Sequence, residues 1–399
     1  MKWIFSWITV ILPGIIIPVI PGLIEAQPCQ SHDEATNMQQ YLKTDEVVLE
    51  YTVTDSSALV YAFTGDSIQI ARQSLNPLFW TAYKSFRRKI KSADLTGLAL
   101  AGQILYLFLI KPVQDFIIHK RRLIIKPDDL LSELPFEAII RPDDACSFQP
   151  YSNMHYLIND YEIIYLSKKV HDQEEAAMVV DNRINSDADD QFAFMGFSPV
   201  FYDQTGLSAL PGSRNEIAEI GSLFRQKGLT SWLVYEQYSE KEYFKTVACK
   251  AKIVHLSTHY LSETPDHGSG GFLFWGYDPV GSKAGRNKGV LTIDEINGLQ
   301  LKADLIVLNA CASGIEKLNS GACRNSLPAL FLRAGARNIL STLWSVTDRL
   351  TGDFMISFYR YWLAGKTYSQ ALREVKLQMI NCPETSLPTI WAPYVLTGH

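Results

Sequence analysis

At 399 residues the chain is long enough for two ordinary domains, each able to bury its own core. Hydrophobic residues make up 47% and charged residues 20%, the balance of a folded globular protein, which excludes disorder as the default. A formal net charge of −5 argues against nucleic acid as a partner, and the short basic runs "KSFRRKIK" (84–91) and "HKRR" (119–122) read as solvated helix and loop faces.

The chain opens with "MKWIFSWITVILPGIIIPVIPGLIEAQ", in which Lys2 precedes an uncharged apolar stretch from Trp3 to Ile24. That stretch is long enough to span a bilayer, but Pro13, Pro18 and Pro21 would break a regular membrane helix. A secretory signal with its apolar core at residues 3–12 and a cut after Ala26 accounts for the prolines better. Residues 1–26 are therefore expected to be a signal peptide or membrane anchor, with membrane association through residues 3–24 and an exported or tethered location. Residues 27–44 form a polar linker.

"DEVVLEYTVTDSSALVYAFTGDSIQIARQSL" predicts three strands separated by "TDSS" and "TGDS" turns. Residues 78–118 predict helix, including "GLALAGQILYLFLIKP", which is too short to cross a membrane and is expected in the core. "RRLIIKPDDLLSELPFEAII" predicts a strand, a turn and a short helix, and "YLINDYEIIYLS" at 156–167 another strand. The acidic, polar residues 171–192 read as a linker or long loop and mark a boundary between halves at 45–170 and 193–399. Lys168, Lys169 and Arg183 around that loop make it a candidate self-cleavage site.

Beyond the boundary, strands and helices alternate. "FAFMGFSP", "SWLVYE", "AKIVHLSTH", "ADLIVLNAC" and "RNILSTLWSV" predict strands; "SRNEIAEIGSLFRQKG", "SEKEYFKTVACK", "LTIDEINGLQL", "SLPALFLRAGA", "LTGDFMISFYRYWLAGK" and "YSQALREVKLQMI" predict helices. Strands that are apolar along their whole length imply an α/β protein with a mostly parallel sheet covered on both faces.

Open parallel sheets carry their chemistry at the carboxyl ends of the strands. Three successive strands here end in candidate groups: His259, Cys311 and Asp348. If those strands are neighbours, the three groups meet on one rim. A thiol is an effective nucleophile only as thiolate, and His259 is a base suited to activate Cys311 and later protonate a leaving amine. The backbone amides of Tyr260 and Cys311 are the natural donors for an oxyanion, and Gly314 lets the chain turn close to the nucleophile. His255, on the same strand as His259, reads as a hydrogen-bonded core residue. The six cysteines, at 29, 146, 249, 311, 323 and 382, include no C-x-x-C pair and no His/Cys cluster with zinc spacing, so neither a metal nor another cofactor is expected.

"HLSTH", "LTIDEINGLQLKADLIVLNACASG", "LPALFLRAGARNILSTLWSVTDRLTGDFMISFY" and "WAPYVLTG" together resemble the CHAT family, caspase-like cysteine peptidases related to separase. "VVLEYTVTDSSALVYAF", "RRLIIKPDDLLSELPFEAII" and "LPGSRNEI" extend the resemblance over about residues 45–399. It implies tandem caspase-like α/β units, a degenerate N-terminal unit packed on a C-terminal catalytic one. It also implies a Cys311–His259 dyad that hydrolyses a protein or peptide substrate in a bacterial signalling or defence pathway. Asp348 matches an aspartate that helps form a pocket for a basic side chain before the scissile bond (P1), with Asp353 as second choice; Asp348 alternatively caps the helix starting near Arg349. The sequence departs from many members at Tyr260, where they carry glycine, and at Ala312 and Ser313. Tetratricopeptide repeats, which often precede this domain, are not found. Those departures keep open a catalytically inactive interaction scaffold, and a thiol-dependent acyltransferase or other hydrolase on the same rim.

Overall fold

The computed structural model describes residues 38–92, 95–142, 150–167, 192–200, 207, 209–261, 270–278, 288–310 and 326–398, together with the backbone of 8–12 and 15–19. Those two backbone segments pair antiparallel, as β1 (Ile8–Leu12) and β2 (Ile15–Val19). The N-terminal half contributes strands β3 (Glu46–Val53), β4 (Ser57–Phe63), β5 (Ile68–Ser74), β6 (Arg122–Lys126) and β7 (Glu162–Leu166). Helices α1 (Pro77–Lys89) and α2 (Leu98–Leu109) lie between β5 and β6. Asn76 caps α1 by accepting from the Phe79 amide, and Pro77 fits the first turn, where no amide hydrogen is needed.

The C-terminal half contributes β8 (Phe192–Ser198), α3 (Pro211–Gln226), β9 (Ser231–Tyr235), α4 (Lys241–Val247) and β10 (Ala251–Ser257). A small antiparallel sheet follows, made of β11 (Tyr260–Leu261), β12 (Gly271–Leu273) and β13 (Val290–Thr292). Then come α5 (Ile293–Asn297), β14 (Leu305–Asn309), α6 (Leu327–Arg333), β15 (Asn338–Thr342), α7 (Asp348–Leu363), α8 (Tyr368–Ile380) and β16 (Tyr394–Gly398).

Both halves share one 11-stranded sheet in the order β5-β4-β3-β6-β7-β16-β15-β14-β10-β8-β9. It is parallel except at β3–β4, β4–β5 and β15–β16. β16 joins the halves, running antiparallel to β15 and parallel to β7. Side chains alternate along the strands, so one sequence run feeds two cores. Ile253 of β10 packs with Ile220 and Phe224 of α3 and Phe358 and Tyr359 of α7. Val254 and Leu256 pack on the opposite face with Phe244 of α4 and Phe331 of α6. The helical stretch Leu98–Ile117 is apolar and long enough to cross a membrane, yet half of it is buried, and Leu98, Leu105 and Leu109 are fully enclosed in the N-terminal core.

The elements differ from the sequence expectation in places. β10 ends at Ser257, two residues before His259. "LTIDEINGLQL" is part strand: Thr292 ends β13 and caps α5 through a capping box with Glu295, which stops the helix from starting earlier. β15 ends at Thr342, because Leu343 and Trp344 turn away to pack in the core of the N-terminal half. "WAPYVLTG" supplies β16, a strand that periodicity alone did not single out.

Candidate functional site

β10, β14 and β15 are adjacent, as the rim argument requires. The parallel register pairs Ser257 with Asn309, the last residues of β10 and β14. Thr258 extends the tie, its amide donating to the Asn309 carbonyl at 3.2 Å. Beyond these ends lies a cleft of about 60 Å³ lined by His259, Asn309, Thr342, Val346, Asp348 and Thr351, among others. His259 and Asp348, which are 89 positions apart in the sequence, therefore face one space. Cys311 lies outside the described residues, as do Gly314, Lys168, Lys169, Arg183 and the whole acidic loop apart from Phe192.

The backbone around His259 is held from the small sheet. The His259 carbonyl accepts from the Leu273 amide at 2.9 Å, and the Thr258 hydroxyl donates to the Leu273 carbonyl at 2.5 Å. The backbone bond from the Leu273 amide to the His259 carbonyl makes Tyr260–Phe272 the non-hydrogen-bonded pair of the β11–β12 ladder, so the Tyr260 amide is turned away from β12. Tyr260 has ordinary strand backbone, and the described non-glycine residue with positive φ is Glu236 at 49°, so glycine is not required at position 260. The Tyr260 ring packs edge-on against Phe272 at 5.1 Å between centroids.

Asp348 is the first residue of α7, and Thr347 holds the N-cap position. Its Oδ2 accepts from the Gly212 amide at the start of α3, at 3.1 Å. Burial raises its carboxyl above the ordinary aspartate value and the negative charge of Glu216 adds to this, opposed by the Gly212 amide and by His259. Asp353 is exposed on α7 and does not line the cleft.

Glycine at position 212 leaves room for this contact. A Cβ there would stand 2.3 Å from Asp348 Oδ2 and 2.9 Å from its Cγ. Gly212→Ala is expected to destabilise the fold by about 1–3 kcal/mol in urea unfolding, the usual cost of overpacking. Most of that cost should vanish when Asp348→Ala is made in the same chain; additive losses would show that the clash lies elsewhere.

Below the cleft, Glu216 of α3 is 1% exposed. Asn309 Nδ2 donates to its Oε1 and Oε2 at 2.9 and 2.8 Å, and Ser257 Oγ donates to Oε2 at 3.3 Å. His255, fully buried as expected of a core histidine, has Nδ1 3.2 Å from the Tyr359 hydroxyl. Its Nε2 stands 2.7 Å from Glu216 Oε1, though off the line of a good hydrogen bond. Sequence reasoning missed Glu216. The signal was a lone carboxylate on the inward stripe of α3, between buried Ser213 and buried Ile217 and Ile220.

The CHAT domain family matches residues 100–399. The chain belongs to the CHAT family. This CHAT protein is similar to Tetratricopeptide repeat protein 28 of Homo sapiens, 31% identical over 109 residues, which are 27% of this chain and 4% of that protein. Its fold is similar to a chain in the crystal structure of the Saccharomyces cerevisiae separase–securin complex at 2.6 Å, with a TM-score of 0.50 and 11% identity over 92% of this chain and 31% of that one. A second crystal structure of that complex, at 3.0 Å, gives a TM-score of 0.49 at 11% identity. The CHAT chain thus spans under a third of its separase-complex counterpart, and the likeness is one of fold.

Proposed function

We propose that this CHAT protein is a cysteine endopeptidase that cleaves after a basic residue, with Cys311 as nucleophile and His259 as general base. The observation that carries this reading is the β10–β14 register. His259 and Cys311 each follow by two positions a residue of the Ser257–Asn309 pair, and His259 faces the same cleft as a carboxylate.

In the reaction, His259 takes the thiol proton and the Cys311 sulfur attacks the scissile carbonyl carbon. The tetrahedral oxyanion accepts from the backbone amides of Tyr260 and Cys311. Collapse breaks the C–N bond, and the His259 imidazolium gives its proton to the leaving amine. Water, deprotonated by His259, then hydrolyses the thioester and restores the thiol. Asp348 rather than the exposed Asp353 meets the basic P1 side chain, because it is the one that lines the cleft. The N-terminal half is read as a non-catalytic unit packed edge to edge on the catalytic one. Residues 3–24 are read as an export or membrane-tethering segment.

Cys311→Ala is expected to abolish cleavage of a P1-varied peptide library by the purified full chain while leaving its circular dichroism and melting unchanged. Cleavage by the variant equal to that of wild type would defeat the reading. Product masses showing water added, and no acyl group moved to another amine, separate hydrolysis from transfer.

A further inference from the structure

Glu216 takes no part in the reaction as written, yet it is the most heavily engaged carboxylate beneath the cleft. Burying a carboxylate is costly unless its oxygens are paired, and here two strand-end side chains, Asn309 Nδ2 and Ser257 Oγ, supply the hydrogen-bond donors, while the buried His255 Nε2 of β10 stands 2.7 Å from Oε1. Asn309 Nδ2 also reaches Ser257 Oγ at 3.2 Å, closing a three-membered network across the β10–β14 pair. These are the last residues of their strands and direct register partners, so whatever fixes their separation fixes the start of both following segments. Glu216 comes from a third element, α3, whose Gly212 amide also holds Asp348. One helix therefore braces three corners of the cleft.

We propose that Glu216 is a positioning residue, whose paired hold on Asn309 and Ser257 sets the spacing of the two strand ends that lead into His259 and Cys311. The inference rests on the peptidase reading for its main readout. Proton transfer between the two groups needs hydrogen-bond reach, and a misplacement of about 1 Å can cost on the order of 100-fold in rate. Substrate binding, governed at P1 by Asp348, needs no such spacing.

The test compares full-length wild type, Glu216→Gln and the reversed pair Glu216→Gln with Asn309→Asp. Glutamine keeps the volume of Glu216 but turns one acceptor into a donor that faces the Asn309 amide. Aspartate at position 309 accepts from that donor and restores the tie with its polarity reversed. Glu216→Gln is expected to lower kcat by roughly 10- to 100-fold with KM for a P1-arginine peptide within about twofold, and the reversed pair to return kcat to within about fivefold of wild type. An unchanged kcat in Glu216→Gln, a loss confined to KM, or a reversed pair as impaired as the single variant would each overturn the proposal. Should Glu216→Gln not fold, Ser257→Ala, which removes one donor, carries the same comparison with a kcat loss of roughly 3- to 10-fold.

Site-resolved alkylation of Cys311 across pH, read by peptide mass, keeps the two readings apart. Wild type that cleaves nothing defeats the peptidase reading. A Cys311 alkylation profile that moves to higher pH in Glu216→Gln and returns in the reversed pair still supports positioning. A profile that is the same in all three chains overturns it.

Discussion

Replacing Asp348 with alanine is expected to lower kcat/KM for peptides with arginine or lysine at P1 by roughly 30- to 150-fold, with little effect on a peptide whose P1 residue is neutral. On the peptidase reading this is the loss of a half-buried charge pair with the P1 side chain, worth about 2–3 kcal/mol. Its pH dependence has a definite sign. Burial raises the Asp348 carboxyl above its ordinary value of 3.8, and the Glu216 charge adds to the effect. Below that raised value the carboxyl is neutral and cannot pair with a cation. KM for a basic peptide should therefore climb as pH falls through it, at a higher pH than an ordinary aspartate would give. Steady-state kinetics at several pH values checks both points. An equal fall in kcat/KM for basic and neutral P1 peptides would assign Asp348 to the frame of the cleft instead of to recognition. Asn at position 348 should lose the acid limb while keeping an acceptor for the Gly212 amide.

Lys376→Met is expected to cost about 3–5 kcal/mol of stability, the largest single effect foreseen for a position away from the cleft. Lys376 of α8 is fully buried and its Nζ lies 2.9 Å from Glu137 Oε1. The Tyr165 hydroxyl donates to Glu137 Oε2 and itself accepts from the Phe136 amide at 2.9 Å. Burial pulls the Lys376 ammonium below the ordinary lysine value, and Glu137 opposes that pull. Removing the lysine leaves a buried carboxylate with its Tyr165 bond and no countercharge. The pair joins a helix of the C-terminal half to a turn of the N-terminal half, so its loss loosens the seam between them. Urea unfolding should show the deficit, and Glu137→Leu in the same chain should recover most of it, because a buried pair replaced on both sides by apolar groups costs little. A Lys376→Met chain as stable as wild type would show that water or another group reaches Glu137.

The rim was legible because β10, β14 and β15 are short apolar runs, each leading to a polar residue, and parallel strands of one sheet must send their ends the same way. His259 and Asp348 could be named from that pattern, and the structure brings both to one cleft. The surrounding strings made the family recognisable, and the match over residues 100–399 bears that out. β11 and β12 were not legible, being two and three residues long, too short for any period to register. β16 escaped for another reason. Its direction is set by pairing with β15 on one side and β7 on the other, partners separated by more than 170 residues, and no local pattern encodes that choice.

Local apolar periodicity thus determined the α/β class and the alternation of elements, since those depend on neighbours in sequence, while the strands themselves stop short of His259 and Asp348, at Ser257 and Thr342. The tertiary structure alone decided that one sheet runs through both halves, that the Gly212 amide holds Asp348, and that Glu216 ties Ser257 to Asn309. Each of these is a contact between groups distant in the chain, and its energy comes from pairing buried polar atoms that no single segment can satisfy alone.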